Sequence, residues 1–273
     1  ENLGVGTYFE HARNYLTARV LSAKLMFRHK AQHHEMEAAF TYKKEHISEN
    51  SVEYEMRDSA GYSVSHTGTD LMMIYSLKAR NTLDAHRIEA YLQDTYRTES
   101  KAGILSINYG ARLSHWTWNG EWLFSPRACL GYVPAANDAF TFRLATGLYY
   151  QRPFYKELRD TVTTDGNTVV QLNKDIKSQR SFQILTAMEY KFKLADRPFK
   201  FSTELYYKAQ SRLNPYNVDN VKIVYYGNNC ASGYVIGADF KLYGEFVPGT
   251  DSWISFGLMK AQMTLNGKHI PQP

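Results

Sequence analysis

FTFRLATGLYY, from Phe140 to Tyr150, decides the fold class of this chain. Its even positions are Phe140, Phe142, Leu144, Thr146, Leu148 and Tyr150; its odd positions are Thr141, Arg143, Ala145, Gly147 and Tyr149. Side chains leave a strand on alternate faces, so an extended segment of this order has one apolar face and one wet face. Two later segments repeat the order. Phe182, Ile184, Met188, Tyr190 and Phe192 oppose Gln183, Glu189 and Lys191, and Phe199, Phe201, Thr203, Leu205 and Tyr207 oppose Lys200, Ser202, Glu204 and Lys208. Such segments run about 10 to 15 residues, enough for a tilted strand to cross a bilayer, which takes roughly 9 to 11. The pattern predicts an all-β chain of antiparallel transmembrane β-barrel strands. The even series of Phe140–Leu148 and Phe182–Tyr190 should face lipid, with Arg143, Gln183, Glu189, Lys191, Lys200 and Glu204 on the concave, polar side.

Composition is compatible with that architecture and with few others. The mean hydropathy of −0.47 argues against a helical membrane protein, and no window approaches the roughly 20 apolar residues of a membrane helix, which excludes a helical span. A barrel shows only every second residue to lipid and so stays polar on average. A length of 273 residues fits one large domain. The net charge of +5 is scattered rather than gathered into a basic stripe, which argues against a nucleic-acid partner. Cys129 and Cys230 have no metal-ligand spacing, and the strand layout puts one inside a strand and the other at a loop edge, so no disulfide is expected between them. Glu1-Asn2-Leu3-Gly4 has neither the basic start nor the apolar core of a leader, so the beginning of an exported protein is expected to lie outside this chain.

Alternation and turn residues lay out about ten strands. Leu21, Ala23, Leu25 and Phe27 mark the first; Met36, Ala38, Phe40 and Tyr42 mark the second. A polar excursion over 44–70 is expected to be a long loop. Ile88 to Tyr96, Leu105 to Leu113, and Phe124 to Tyr132 follow, with a hairpin at Asn119-Gly120 whose two residues suit a type I′ turn. Pro126 removes a ladder donor and predicts an irregularity there. Tyr234 to Leu242 and Ile254 to Leu258 come last, before a terminal loop from Asn266. Connections alternate between short (near 30–33, 98–103, 133–138, 193–198 and 246–251) and long (near 44–70, 151–179 and 209–232), with a brief one at 116–121. Outer-membrane barrels show this asymmetry, with short periplasmic turns and long extracellular loops. Tyr149, Tyr150, Tyr190, Phe192, Phe199, Tyr206 and Tyr207 lie near strand ends, and those facing lipid should form an interfacial girdle.

Several local motifs carry a family resemblance. Tyr91-Leu92-Gln93-Asp94-Thr95-Tyr96 with Gly110-Ala111-Arg112, then Ser125-Pro126-Arg127, resembles successive strands of TonB-dependent outer-membrane receptors. Gly147-Leu148-Tyr149-Tyr150-Gln151, Pro153-Phe154 and Glu157-Leu158 resemble that family's glycine–aromatic stretch leading into an extracellular loop. Asn228-Asn229-Cys230-Ala231-Ser232-Gly233-Tyr234 through Gly237-Ala238-Asp239 resembles a later strand, with Asp239 where the family often has Glu. The resemblance runs from about Leu83 to the end. It implies a piece of a barrel of about 22 strands, open as it stands, without the family's plug domain. It implies a Gram-negative outer-membrane location and partners in outer-membrane lipid, a nutrient ligand, and the TonB complex acting through the plug. The expected activity is binding of a scarce nutrient at extracellular loops and its import with TonB-coupled energy. A passive porin or small complete barrel, and a soluble β-sandwich binding module, are the alternatives.

Enzymatic and metal chemistry finds no constellation. His29, His33 and His34 straddle a short turn, where alternation splits neighbours between faces, so solvated turn histidines are expected. Asp160 and Asp165-Gly166 read as turn formers. No nucleophile set or phosphate loop is present, and no cofactor is expected. The candidate ligand residues are therefore those of the two long loops: Gln151, Arg152, Tyr155 and Lys156 in the first, and Tyr216, Asn217, Tyr225, Tyr226, Asn228 and Asn229 in the second. They offer hydrogen bonds and flat aromatic surfaces on connections that can vary without disturbing a rigid barrel.

Overall fold

A computed structural model describes residues 7–58, 71–164, 167–219 and 222–272. One antiparallel sheet runs through β1 (Thr7–Lys30), β2 (His34–Asp58), β3 (Met72–Ser100), β4 (Gly103–Trp116), β5 (Glu121–Pro134) and β6 (Phe140–Gln151). It continues through β9 (Gln179–Leu194), β10 (Arg197–Leu213), β13 (Ala231–Val247), β14 (Thr250–Leu265) and the short β15 (Lys268–Gln272). Each strand pairs with the next along this path, and β1 does not pair with β15, so the sheet is open. Between β6 and β9 lie a short 3-10 helix (Tyr155–Leu158) and the hairpin β7 (Arg159–Thr164) and β8 (Asn167–Leu172). Between β10 and β13 lies a second hairpin, β11 (Tyr216–Asp219) and β12 (Lys222–Tyr225).

The ladder fixes which side chains share a face. Phe142 pairs with Met188, Met188 with Thr203, Thr203 with Phe240, and Phe240 with Phe256. In the other direction, Leu144 pairs with Leu130, Leu130 with Ile107, Ile107 with Tyr96 and Tyr96 with His34. The apolar series of neighbouring strands therefore merge into one band. That band is bare: Leu25 is 75% exposed, Leu205 50% and Ile254 61%. An uncovered apolar surface of this extent is unstable in water, since each such side chain forgoes about 1.5–3 kcal/mol of burial. A soluble sandwich would have covered this face with a second sheet, so hydrocarbon is its solvent. Arg143, Gln183, Glu189, Lys191, Lys200 and Glu204 all sit on the opposite, inner face, where Arg143 and Glu189 pair at 3.1 Å.

Phe140, Tyr190, Phe192, Phe199 and Phe246 form a continuous aromatic row on the outer face at the short-turn end, with ring centroids 4.5–5.7 Å apart. Gly244 is required there, because a Cβ on it would stand 2.1 Å from the Phe199 ring. Tyr190, Phe192 and Phe199 thus belong to the girdle, whereas Tyr149 and Tyr206 face inward.

Three expectations need correction. Lys44–Asp58 is strand, paired with β1 throughout and with β3 as far as Arg57; the rest of the expected loop, 59–70, lies outside the described residues. Alternation is lost over 44–51, where Lys44, His46, Ser48 and Asn50 take the outer-face positions of a part of β2 that stands beyond the bilayer. The β4–β5 connection is a four-residue turn, Thr117–Gly120, in which Gly120 has positive φ and Asn119 does not. Two-residue turns with both φ values positive occur instead at Ala195-Asp196 and at Asn266-Gly267. Asn266-Gly267 therefore opens a hairpin into β15 rather than a terminal loop. Asp165-Gly166 lies outside the described residues.

Candidate functional site

β1, β2 and β3, at 24, 25 and 29 residues, far outrun the bilayer, and the excess is all at the long-loop end. There, on β3, the polarity of the two faces inverts. On β3 the outer face carries Lys78, Arg80, Thr82, Asp84 and His86, and the inner face carries Leu77, Ala79, Leu83 and Ala85, each under 9% exposed. The inversion has a cause in the connection between β6 and β9, which folds back over this inner face. Leu83, Ala85 and Trp116 pack with Leu158 and Ile176 from that connection; Leu77 and Ala79 pack with Val170.

The connection also repairs a sheet edge. β4 ends at Trp116, opposite Arg87, so β3 loses its neighbour from His86 outward. β8 takes the vacated place, parallel to β3 over Ser76–Ala79, and β7 pairs on β8. Asn81 Nδ2 donates to the Val170 carbonyl at 3.0 Å.

Three inner-face carboxylates hold this connection in place. Glu89 receives Arg152 at 2.8 Å. Glu49 accepts from the Tyr155 hydroxyl at 2.8 Å and pairs with Arg159 at 3.2 Å. Glu121 accepts from the Ser178 backbone N–H and hydroxyl at 3.0 and 2.6 Å. The second loop is stitched to the first. Asn229 donates to the Lys177 and Arg212 carbonyls at 2.9 and 2.7 Å and accepts from Lys177 N–H at 2.6 Å; Asn173 donates to the Gly227 carbonyl at 3.2 Å. Burial, together with hydrogen bonding to Glu49, raises the Tyr155 hydroxyl well above its ordinary pKa. Burial likewise raises the Glu157 carboxyl, and it raises Tyr225, helped by the Glu157 charge.

The ten candidate residues thus divide. Arg152, Tyr155 and Asn229 each make bonds that hold the loops, and Tyr225 is half-buried against Tyr216, with centroids 5.9 Å apart. Gln151, Lys156, Tyr216, Asn217, Tyr226 and Asn228 are exposed at the long-loop end. The carboxylates that organise the site were not among the candidates, and Glu49 fell in a stretch read as loop. Their signal was available only as a surplus of arginine in one loop facing acids on the inner strand positions.

A recess opens below the first loop. The β5–β6 ladder covers only Arg127–Tyr132 against Phe142–Gly147, and it stops next to Pro126, which has no N–H to donate. β5 continues upward on β4 alone, and the two strands part. This is the irregularity predicted at Pro126. A cavity of about 360 Å³ fills the parting, lined by Arg87, Glu89, Arg112, Ser125, Arg127 and Arg152 among others. It meets a second cavity of about 300 Å³ that shares Arg112, Ser125 and Arg127 and extends to Lys24, Gln93 and Asn108.

Other groups singled out in the sequence are accounted for locally. His33 Nδ1 lies 3.1 Å from the Arg97 carbonyl, and His34 Nδ1 lies 2.6 Å from Asp94, whose other partner is the Tyr109 hydroxyl at 2.9 Å. Among the described residues, no group of three or more His, Cys, Asp or Glu could hold a metal. Cys129, in β5, and Cys230, before β13, are free thiols.

Comparison with known proteins assigns the fold. The family model for the TonB dependent receptor-like β-barrel matches residues 2–273. Among solved structures, the outer membrane transporter YddB from Escherichia coli is similar over 96% of this chain and 37% of its own, with 14% identity and a TM-score of 0.57. The RagAB peptide transporter is similar over 94% of this chain and 31% of its own, at 10% identity and a TM-score of 0.54. FpvAI, solved in complex with pyocin S2, is similar over 96% and 35%, at 13% identity and a TM-score of 0.52. At these identities the likeness is one of fold, and the chain spans about a third of the length of those structures. No curated protein matches it. A lipid-facing apolar band, a polar inner face, short turns at one end, in-folded loops at the other and a family match over nearly the whole chain agree: this chain belongs to the TonB-dependent receptor family, a non-enzymatic family of the Gram-negative outer membrane, and supplies an open segment of its β-barrel.

Proposed function

We propose that this chain is the loop-bearing part of an active-transport receptor that binds a scarce nutrient at its extracellular face and imports it with TonB-coupled energy. The plug domain that TonB would engage belongs, on this reading, to the part of the receptor outside the chain. The observation that supports it best is the stitched pair of loops. Two connections that a bare pore could leave short are here long, folded over the lumenal wall and tied to one another through Asn229 and Asn173. They hold a fixed exposed surface of Gln151, Lys156, Tyr216, Asn217, Tyr226 and Asn228 at the extracellular end. Fixed aromatic and amide groups bind with little ordering cost, which suits capture of a dilute ligand.

Uptake by the full-length receptor tests this. Cells that depend on it for growth on a limiting nutrient should lose uptake when 156–176 and 215–228 are replaced by short Gly-Ser links, and when TonB is deleted. Undiminished uptake with both loops shortened would remove the loops as the binding surface. Undiminished uptake without TonB would leave the passive pore as the better reading.

A further inference from the structure

The recess between β5 and β6 has a charge it does not spend. Arg112 and Arg127 are exposed on the lumenal wall, and among the described residues neither has a carboxylate within 4.0 Å. Each lies instead over a tyrosine ring, Arg112 over Tyr91 at 5.8 Å and Arg127 over Tyr149 at 4.4 Å. Stacking holds a guanidinium plane while leaving its N–H edge for an acceptor. Arg127 also has an unobstructed approach. Its ladder neighbours on both sides are glycines, Gly110 and Gly147, and a Cβ on Gly147 would stand 3.1 Å from the Arg127 side chain.

Arg152 supplies an independent sign. Its Nη1 holds Glu89, but its Nε and Nη2 are buried without an acceptor on the wall of the same cavity. Buried guanidinium donors are costly to leave unpaired, and an anion's oxygens are the acceptors that such a fork binds most strongly. With Lys24 below and Arg87 above, the latter paired with Glu45 at 2.9 Å, five cations line the two joined cavities, against the carboxylates Glu37 and Glu89. Glu37 is itself engaged by Arg28.

We propose that this recess binds the carboxylate or phosphate groups of the transported ligand, which passes from the extracellular loops down a ladder of Arg152, Arg112 and Arg127. The proposal rests on the transport reading above and adds a substrate class to it: an anionic ligand.

Purified full-length receptor is titrated with citrate, inorganic pyrophosphate and triglutamate, and with triethyl citrate and triglutamine as uncharged counterparts. At least one anion should bind and neither counterpart should, with affinity falling as salt rises from about 50 to about 200 mM. Citrate against pyrophosphate separates carboxylate from phosphate as the preferred group. Arg112→Ala with Arg127→Ala should weaken binding about tenfold or more. Arg112→Lys with Arg127→Lys, which keeps the charge but loses the planar fork, should weaken it less. Arg143→Ala, on the lumenal face but paired with Glu189 away from the recess, should change it less than about twofold. Heat-modifiable migration on gels confirms that each variant is folded. If no anion binds the wild type, or the alanine pair binds as the wild type does, the recess is not an anion site. Absence of anion binding together with a lower unfolding temperature in the alanine pair would assign the arginines to packing against an acidic surface inside the lumen, and would overturn the proposal. Loss of this site would leave the loop-shortening result untouched, so the two readings fail separately.

Discussion

Glu157 shows how one residue can set the pH response of a loop. It sits in the 3-10 helix, 4% exposed, with Oε2 buried and unpartnered. Burial pushes its pKa up against smaller lowering effects from hydrogen bonds at Phe154 and Gln179. The folded state therefore holds this proton more tightly than the unfolded state does. The stability it contributes is complete below the ordinary carboxylate range and is lost as pH rises through the raised value. Glu157→Gln removes that loss. The substitution should slow proteolytic cleavage of the 152–178 connection at pH 7, with a stabilisation of about 1 kcal/mol, and should have little effect near pH 4. A variant cleaved faster than wild type at pH 7 would mean that the carboxylate is needed charged. Sequence marked Glu157 only as part of a Glu-Leu motif, because burial is a property of the folded loop.

At the scale of elements, the same strand serves two solvents. β3 crosses the bilayer with its apolar residues outward and then leaves it with its apolar residues inward, and the register never slips between Leu77 and Tyr96. The change of phase is legible in the residues themselves, since Leu77, Ala79, Leu83 and Ala85 are odd while Ile88, Ala90 and Leu92 are even. Read as one pattern, this looks like a loss of alternation and suggests a loop. Leu83 and Leu158, each 1% exposed, are the contact that joins the extension to the in-folded connection. Leu83→Ala or Leu158→Ala should cost about 2–5 kcal/mol locally and release the connection to protease without changing barrel assembly. Thr82→Ala, on the wet face next to Leu83, should do neither. Equal protection in all three variants would show that the hydrogen bonds to Glu49, Glu89 and Glu121 hold the connection without the apolar contact.

For the molecule as a whole, the sheet is one layer with two solvents on either side, and Leu205 and Glu204 test that arrangement as adjacent residues in mid-strand of β10. Leu205→Arg places a charge in hydrocarbon and should destabilise the full-length receptor by about 2–4 kcal/mol. Glu204→Arg exchanges one lumenal charge for another and should stay within about 1 kcal/mol. Denaturant unfolding of receptor folded into lipid vesicles measures both. Equal losses would mean that the faces are assigned wrongly. The open ends of the sheet, β1 and β15, present ladder groups that a closed barrel would pair, so both measurements belong in the full-length protein rather than in this segment.

Much of this architecture was settled by the order of residues alone. Period-two alternation is local, and a strand between lipid and lumen has no other way to satisfy both, so the membrane-crossing strands, their faces and the end bearing the long loops were readable from positions such as Phe140 to Tyr150. Tertiary structure decided the rest. Whether Asn119-Gly120 or Asn266-Gly267 forms the two-residue turn depends on how far the flanking strands stay paired, and Trp116 and Glu121 pair too early to allow it. That Arg152 and Tyr155 would also anchor the connection depends on Glu89 and Glu49, which are 63 and 106 residues away in sequence. The arginine recess depends on register across β3, β4, β5 and β6, which alternation within any one strand does not specify. Contacts between residues so distant exist only once the sheet has brought them together.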